Sequence, residues 1–152
     1  MKVLEFLDPT SISLELKSTS KQDAVLELCE LLKTNGKIKD LSPVITALMD
    51  REKLGSTGIG QGVAIPHGKS DATTTLIGAL GISRKGVQFD SLDGEPVYVI
   101  FMLVAPNDTS GQHLKALARV SRLLKDKFFR QAIKEAKTPA DIAKIIREED
   151  EY

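Results

Sequence analysis

From Pro96 to Val104 the chain runs through nine residues without a charge, mixing Val97, Val99, Ile100 and Val104 with the aromatic Tyr98 and Phe101. Neither parity of positions offers a polar row to solvent, so the run predicts a strand buried on both faces. Such a strand needs cover on two sides. Helical patterns stand towards both ends of the sequence and strand patterns in its middle, so helices from both ends must close over one sheet. The expected fold is a three-layer α/β (α+β) domain, a central mixed β-sheet flanked by helices on both faces. At 152 residues the chain fits one domain, residues 1–152, without disulfide or metal staples.

Local signals divide the rest. Ile12 to Leu16 alternates as a short strand, and Ser20 with Asp23 forms a capping pattern that opens a helix ending near Asn35-Gly36. Ser42-Pro43 announces a second helix, striped by Val44, Ile45, Leu48 and Met49 and running out at Leu54-Gly55. Gly55 to Gly62 is too rich in glycine and hydroxyls for a helix or regular strand and reads as a loop, after which Val63-Ala64-Ile65 is a brief strand stopped by Pro66. Thr74 to Ile82, Val87 to Phe89 and Pro96 to Val104 read as three strands, with a turn at Asp93-Gly94. A helix follows Asn107-Asp108-Thr109-Ser110, with Leu114, Leu117, Val120 and Leu124 on its inner face. Thr138-Pro139 with Asp141 caps a last helix through Ile146, and Glu148 to Glu151 reads as a solvated acidic tail.

Charge narrows the function. Lys plus Arg equals Asp plus Glu at 21 each, which removes the broad basic field that nucleic-acid or membrane-surface binding relies on. Any anion site must be local. The longest apolar run, Val97 to Pro106, is about half the length of a membrane span, and the N-terminus lacks a signal-peptide layout, so a cytoplasmic protein is expected. Cys29 is the sole cysteine and falls among Val25, Leu28 and Leu32 at helical spacing, which marks a core residue. Two histidines at unrelated spacings give no metal cluster, and no cofactor is expected.

Both histidines stand where an apolar segment meets a loop. His67 follows Val63-Ala64-Ile65-Pro66 and precedes Gly68, so its imidazole is presented at a strand end, where α/β sheets place their sites. Gly62 to Ser70 superficially resembles a phosphate-binding P-loop, but five residues rather than four separate its glycines and Pro66 lies among them. Gly58, Gly60 and Gly62 follow a helix and precede a strand, the reverse of a dinucleotide-binding turn. They form either a flexible turn or an anion nest of backbone N–H groups, to which the Ser56 and Thr57 hydroxyls would add donors. No serine-hydrolase elbow is present. Histidine itself as nucleophile remains, since an imidazole with a reference pKa of about 6.5 is mostly unprotonated at neutral pH.

The string from Arg51 through Gly55-Ser56-Thr57-Gly58-Ile59-Gly60-Gln61-Gly62 to Ala64-Ile65-Pro66-His67-Gly68-Lys69, with His113-Leu114 downstream, resembles the fructose/mannitol-type enzyme IIA domain of the bacterial phosphoenolpyruvate-dependent phosphotransferase system. The glycine-rich segment and the Gly68-Lys69 ending are most similar to its nitrogen-related branch. The resemblance implies that His67 is phosphorylated by phospho-HPr or a nitrogen-branch paralogue, with Arg51 and His113 as phosphate partners. Arg51 can offer parallel charge-assisted hydrogen bonds; otherwise it is a surface ion-pair residue. His113 can donate a ring N–H near the positive end of its helix; otherwise it is a solvated helical histidine. Arg51 and the loop dipoles should hold the His67 pKa at or below its reference value. Nε2 is the expected attacking nitrogen, with Nδ1–H held by a backbone carbonyl. Two functions follow from the resemblance: a carrier passing phosphate to a IIB domain, or a regulator whose phosphorylation state selects target proteins. A third reading is an anion-binding module with no covalent step.

Overall fold

The computed structural model describes residues 1–108 and 110–151; Thr109, placed by the sequence in the turn before the third long helix, and Tyr152 lie outside the described residues. The strands are β1 (Ile12–Ser13), β2 (Gly58–Gly60), β3 (Val63–Ala64), β4 (His67–Lys69), β5 (Ile77–Val87) and β6 (Val97–Ala105). The helices are α1 (Lys21–Thr34), α2 (Leu41–Lys53), α3 (Ser110–Lys125), α4 (Lys127–Glu135) and α5 (Pro139–Glu149). They form one mixed sheet in the order β1-β5-β6-β3-β2, with β4 also paired to β6.

The long apolar run is the central strand, and its side chains divide between two cores by parity. Val99, Phe101 and Leu103 pack under α3, α4 and α5 with Val120, Ile133 and Ile142. Ile100, Met102 and Val104 pack under α1 and α2 with Leu28, Leu32 and Leu48. Period-two alternation between two apolar faces is the three-layer architecture expected from this run. Cys29 lies in the second core, 4.0 Å from the Met102 sulfur, where burial pushes its thiol pKa up to about 12. It is not a nucleophile.

Several local expectations are corrected. The Ile12 strand is only two residues long, although Leu16 N–H still reaches the Ile82 carbonyl at 2.8 Å. Helix α2 starts two residues before Pro43: Asp40 caps it by accepting from Ser42 N–H at 3.2 Å, and Pro43 sits within the first turn, where a missing N–H leaves no ladder bond unmade. The second and first of the three expected strands are one, because β5 passes through Ser83-Arg84-Lys85 with a register shift and reaches Val87; Gly86 supplies the positive φ of +94° there. The acidic tail is not solvated throughout: Asp150 is 1% exposed and accepts from Val3 N–H at 2.6 Å. Helix α4 has no counterpart in the sequence reading, since its buried face is carried by Phe129 and Ile133 alone.

The Gly55–Gly62 segment is likewise not all loop. Its second half pairs with β3 as a hairpin closed by Gln61 and Gly62, whose φ values of 58° and 78° are the two positive angles a two-residue turn needs. Beyond it, β3 and β4 run parallel to β6 in one continuous register, Val63 beside Val99 and His67 beside Leu103. Pro66 interrupts the ladder only as a donor; its carbonyl still accepts from Leu103 N–H at 3.0 Å. His67 therefore begins a strand instead of leading into a loop.

Candidate functional site

The register decides where His67 points. Leu103, its partner on β6, faces α3, so His67 faces α3 as well, and Gly68 faces α2. A methyl group at Gly68 would lie 3.1 Å from the Ala47 carbonyl carbon and 3.3 Å from the Leu48 nitrogen. Glycine is required there because the α2 backbone itself is the neighbour. That close approach aligns Ala47 and, one turn on, Arg51 with His67. From the other side the fourth residue of α3 supplies His113, whose ring meets His67 edge to face with centroids 5.4 Å apart.

These residues line one open cleft of about 420 Å³, formed by Ala47, Arg51, His67, Gly68, Lys69, His113, Leu114 and Leu117. A larger groove of about 660 Å³, between the Leu4–Asp8 segment and Thr73–Ile77, contains neither histidine. Leu114 was expected in the core but is 68% exposed beside His113; Ala116, Val120, Leu123 and Leu124 form the buried face of α3 instead. Leu114 and half-buried Leu117 thus give the cleft an apolar rim.

His67 is half-buried, and its Nδ1 lies 2.8 Å from the Ile65 carbonyl oxygen. A carbonyl only accepts, so Nδ1 carries the proton and Nε2 keeps its lone pair. Burial is the largest influence on its pKa, which lies below the ordinary value; the Ile65 bond opposes this, Arg51 adds to it and Glu52 opposes it. The direction agrees with the sequence reading, but desolvation leads and the Arg51 charge comes second among the lowering effects. Arg51, in the last turn of α2, donates from Nη1 to the Gly55 carbonyl at 3.0 Å. Among the described residues no carboxylate lies within ion-pair distance of it.

His113 is 5% exposed, and its buried Nε2 has no hydrogen-bond partner among the described residues. Leaving a buried polar nitrogen unpaired is unfavourable, so the atom marks a place where a ligand oxygen would be welcome. Burial, then the nearby His67 and Lys69, lower its pKa to about 4. The unfolded chain binds this proton near pH 6.5 and the folded chain only near 4, so stability falls as pH drops through that window. Urea unfolding at pH 7 and pH 4.5 is expected to show a loss on the order of 2 kcal/mol from this group, reduced in His113→Gln. Equal pH dependence in both proteins would contradict the assignment.

The five loop residues are not in this cleft. Ser56 donates its hydroxyl to the Phe89 carbonyl at 2.7 Å and accepts from Gly58 N–H at 3.0 Å. Thr57 directs its hydroxyl and its N–H to the Glu52 carboxylate, and Gly60 and Gly62 shape the hairpin turn. An anion nest at Ser56, Thr57, Gly58, Gly60 and Gly62 is therefore not what the structure assembles around His67. The residues missed from sequence are Lys69, which lines the cleft, and Glu52, which is buried directly behind Arg51. In the Arg51-Glu52-Lys53 run a buried acid is indistinguishable from a solvated one.

The chain is thus a mixed α/β domain whose sheet and two helices gather a half-buried imidazole, a guanidinium and a second imidazole in one cleft. Residues 5–149 match the family described as the phosphoenolpyruvate-dependent sugar phosphotransferase system, EIIA 2, and the chain belongs to that family. It is 40% identical over 130 residues to a nitrogen regulatory protein of Bradyrhizobium diazoefficiens, covering 83% of this chain and 82% of that protein. It is 37% identical over 150 residues, 99% of the chain, to the fructose-specific EIIABC component of Bacillus subtilis, of whose length it spans 24%. Nitrogen regulatory protein IIA-Ntr from Neisseria meningitidis has the same fold, with a TM-score of 0.86 and 34% identity over 93% of this chain and 97% of that one. EIIA domains are phosphoryl-transfer components of this system. No described helix is long and apolar enough to cross a membrane.

Proposed function

We propose that His67 accepts a phosphoryl group on Nε2 from phospho-HPr or a nitrogen-branch paralogue, and that the chain acts in the cytoplasm as one nitrogen-type regulatory IIA domain. The observation that carries this is the Nδ1–H bond to the Ile65 carbonyl, which leaves the Nε2 lone pair available in a cleft shared with Arg51 and His113. That lone pair attacks the phosphorus of the donor phosphohistidine; the new P–N bond forms as the donor's breaks, and the released electron pair stays on the donor ring. Transfer of this kind asks the protein for alignment and for neutralisation of three phosphoryl oxygens. Arg51 provides charge, and His113 Nε2, in the tautomer that carries its proton there, provides a donor with no competing partner among the described residues. The apolar rim of Leu114 and Leu117 suits the surface of a carrier protein.

Incubating the protein with phosphoenolpyruvate, enzyme I and HPr or its paralogue, and weighing it intact, should show the gain of one acid-labile phosphoryl group. No gain with either carrier would end this reading. Arg51→Ala and His113→Ala should remain folded and accept phosphate about 10²-fold more slowly, the size expected for loss of one preorganised donor. Unchanged rates in both would remove them from the site. The 37% identity to a fructose-specific EIIABC component favours a second reading, in which His67 passes its phosphoryl group to a IIB domain during sugar uptake. Onward transfer from the phosphorylated protein to added IIB domains separates the two.

A further inference from the structure

Behind the cleft, one buried carboxylate joins the supports of both Arg51 and His67. Glu52 is 6% exposed, and its carboxylate accepts from Thr57 N–H at 3.2 Å as well as from the Thr57 hydroxyl. The Thr57 carbonyl accepts from Ile65 N–H at 3.0 Å, and the Ile65 carbonyl holds His67 Nδ1 at 2.8 Å. Along the other branch, the Glu52 carbonyl accepts from Gly55 N–H at 3.1 Å, and the Gly55 carbonyl holds Arg51. Lys21 of α1 compensates the buried charge at 3.1 Å and stands over the Phe89 ring.

We propose that Glu52 is a positioning residue for phosphoryl transfer, setting the ring of His67 through Thr57 and Ile65 and the reach of Arg51 through Gly55. The inference rests on phosphoryl acceptance at His67. A buried carboxylate is retained here because the segment from Gly55 to Ile65 has few apolar side chains to anchor it, and a charge-assisted bond holds a backbone more tightly than a neutral one. Arg51 and Glu52 from α2, His113 from α3 and Lys69 from β4 are the charged and titratable groups around the ring. Glu52 is the one among them whose charge favours protonation of His67.

Glu52→Gln keeps the shape but turns an amide towards Lys21, and Thr57→Val removes the hydroxyl donor while Thr57→Ser keeps it. Nitrogen-15 NMR of the unphosphorylated proteins should find His67 as a single Nδ1–H tautomer in the wild type and in Thr57→Ser. Glu52→Gln and Thr57→Val should give a mixture of tautomers, and Glu52→Gln a further lowered His67 pKa. Phosphoryl acceptance by folded Glu52→Gln and Thr57→Val should slow about tenfold or more, with Thr57→Ser near wild type. A loss of stability alone would not move the tautomer of a folded protein. An unchanged tautomer and pKa with rates within twofold would overturn the proposal; if Glu52→Gln does not fold, the two Thr57 variants decide it. A wild type that takes up no phosphate defeats the phosphoryl reading, and the NMR comparison then still decides whether Glu52 orients the ring.

Discussion

Replacing His67 with alanine is expected to abolish phosphoryl labelling outright, leaving a folded protein that gains no mass with phosphoenolpyruvate, enzyme I and either carrier. The loss should be complete because the described residues offer no substitute nucleophile in the cleft. His113 is the other imidazole there, but it is 5% exposed, whereas His67 is only half-buried and so is the easier of the two for a donor to reach. Fold stability should hardly change, since His67 is half-buried and its side-chain bond to Ile65 is worth about 1 kcal/mol. In the wild type, phosphorus–nitrogen coupling should place the phosphoryl group on Nε2. Full labelling of His67→Ala would assign the chemistry to another residue, and a phosphoryl group on Nδ1 would require the Ile65 bond to break first.

Asp150→Ala should destabilise the protein by about 3 kcal/mol without touching the cleft. Asp150 caps the C-terminal end of α5, where the helix dipole disfavours an anion, yet it is almost fully buried. Its carboxylate is held by Arg119 Nε at 2.5 Å, by Arg122 at 3.6 Å and by Val3 N–H, while Lys2 donates to its carbonyl at 2.7 Å. Removing the acid strands a backbone donor and leaves Arg119 beside the first core uncompensated. The same site fastens the N-terminal turn Val3–Glu5 to α5 and α3, so its loss should loosen both chain ends together. Chemical denaturation is the measurement: a midpoint shift equivalent to less than about 0.5 kcal/mol would mean the network is dispensable. Arg119→Met in the Asp150→Ala background should recover part of the loss, because the uncompensated cation goes with it.

The site was legible where it depended on local chemistry. His67 after Ala64-Ile65-Pro66, with Arg51 upstream and His113 downstream, was found from residue type, spacing and resemblance, and the structure brings all three to one cleft. It was illegible where a side chain's direction depends on what packs against it. Leu114 extends the helical stripe of Leu117, Val120 and Leu124, yet it stands exposed at the rim of the cleft. Glu52 and Asp150 belong to charged runs of ordinary solvated appearance, and only distant partners, Thr57 and Lys21 for one and Val3 and Arg119 for the other, make burial tolerable.

The sequence by itself determined the architecture and pointed to the histidine proposed as the phosphoryl acceptor. A charge-free run with β-branched residues can be satisfied only between two apolar layers, and a histidine placed after Pro66 and before a glycine is a local arrangement that needs no distant information. Tertiary structure alone decided how that histidine is equipped. The shared register of β3, β4 and β6 turns His67 towards α3, and the bare backbone at Gly68 admits α2 and with it Arg51. Register and helix approach are properties of segments far apart in the chain, set by how two cores fill on either side of one strand, and no local pattern encodes them.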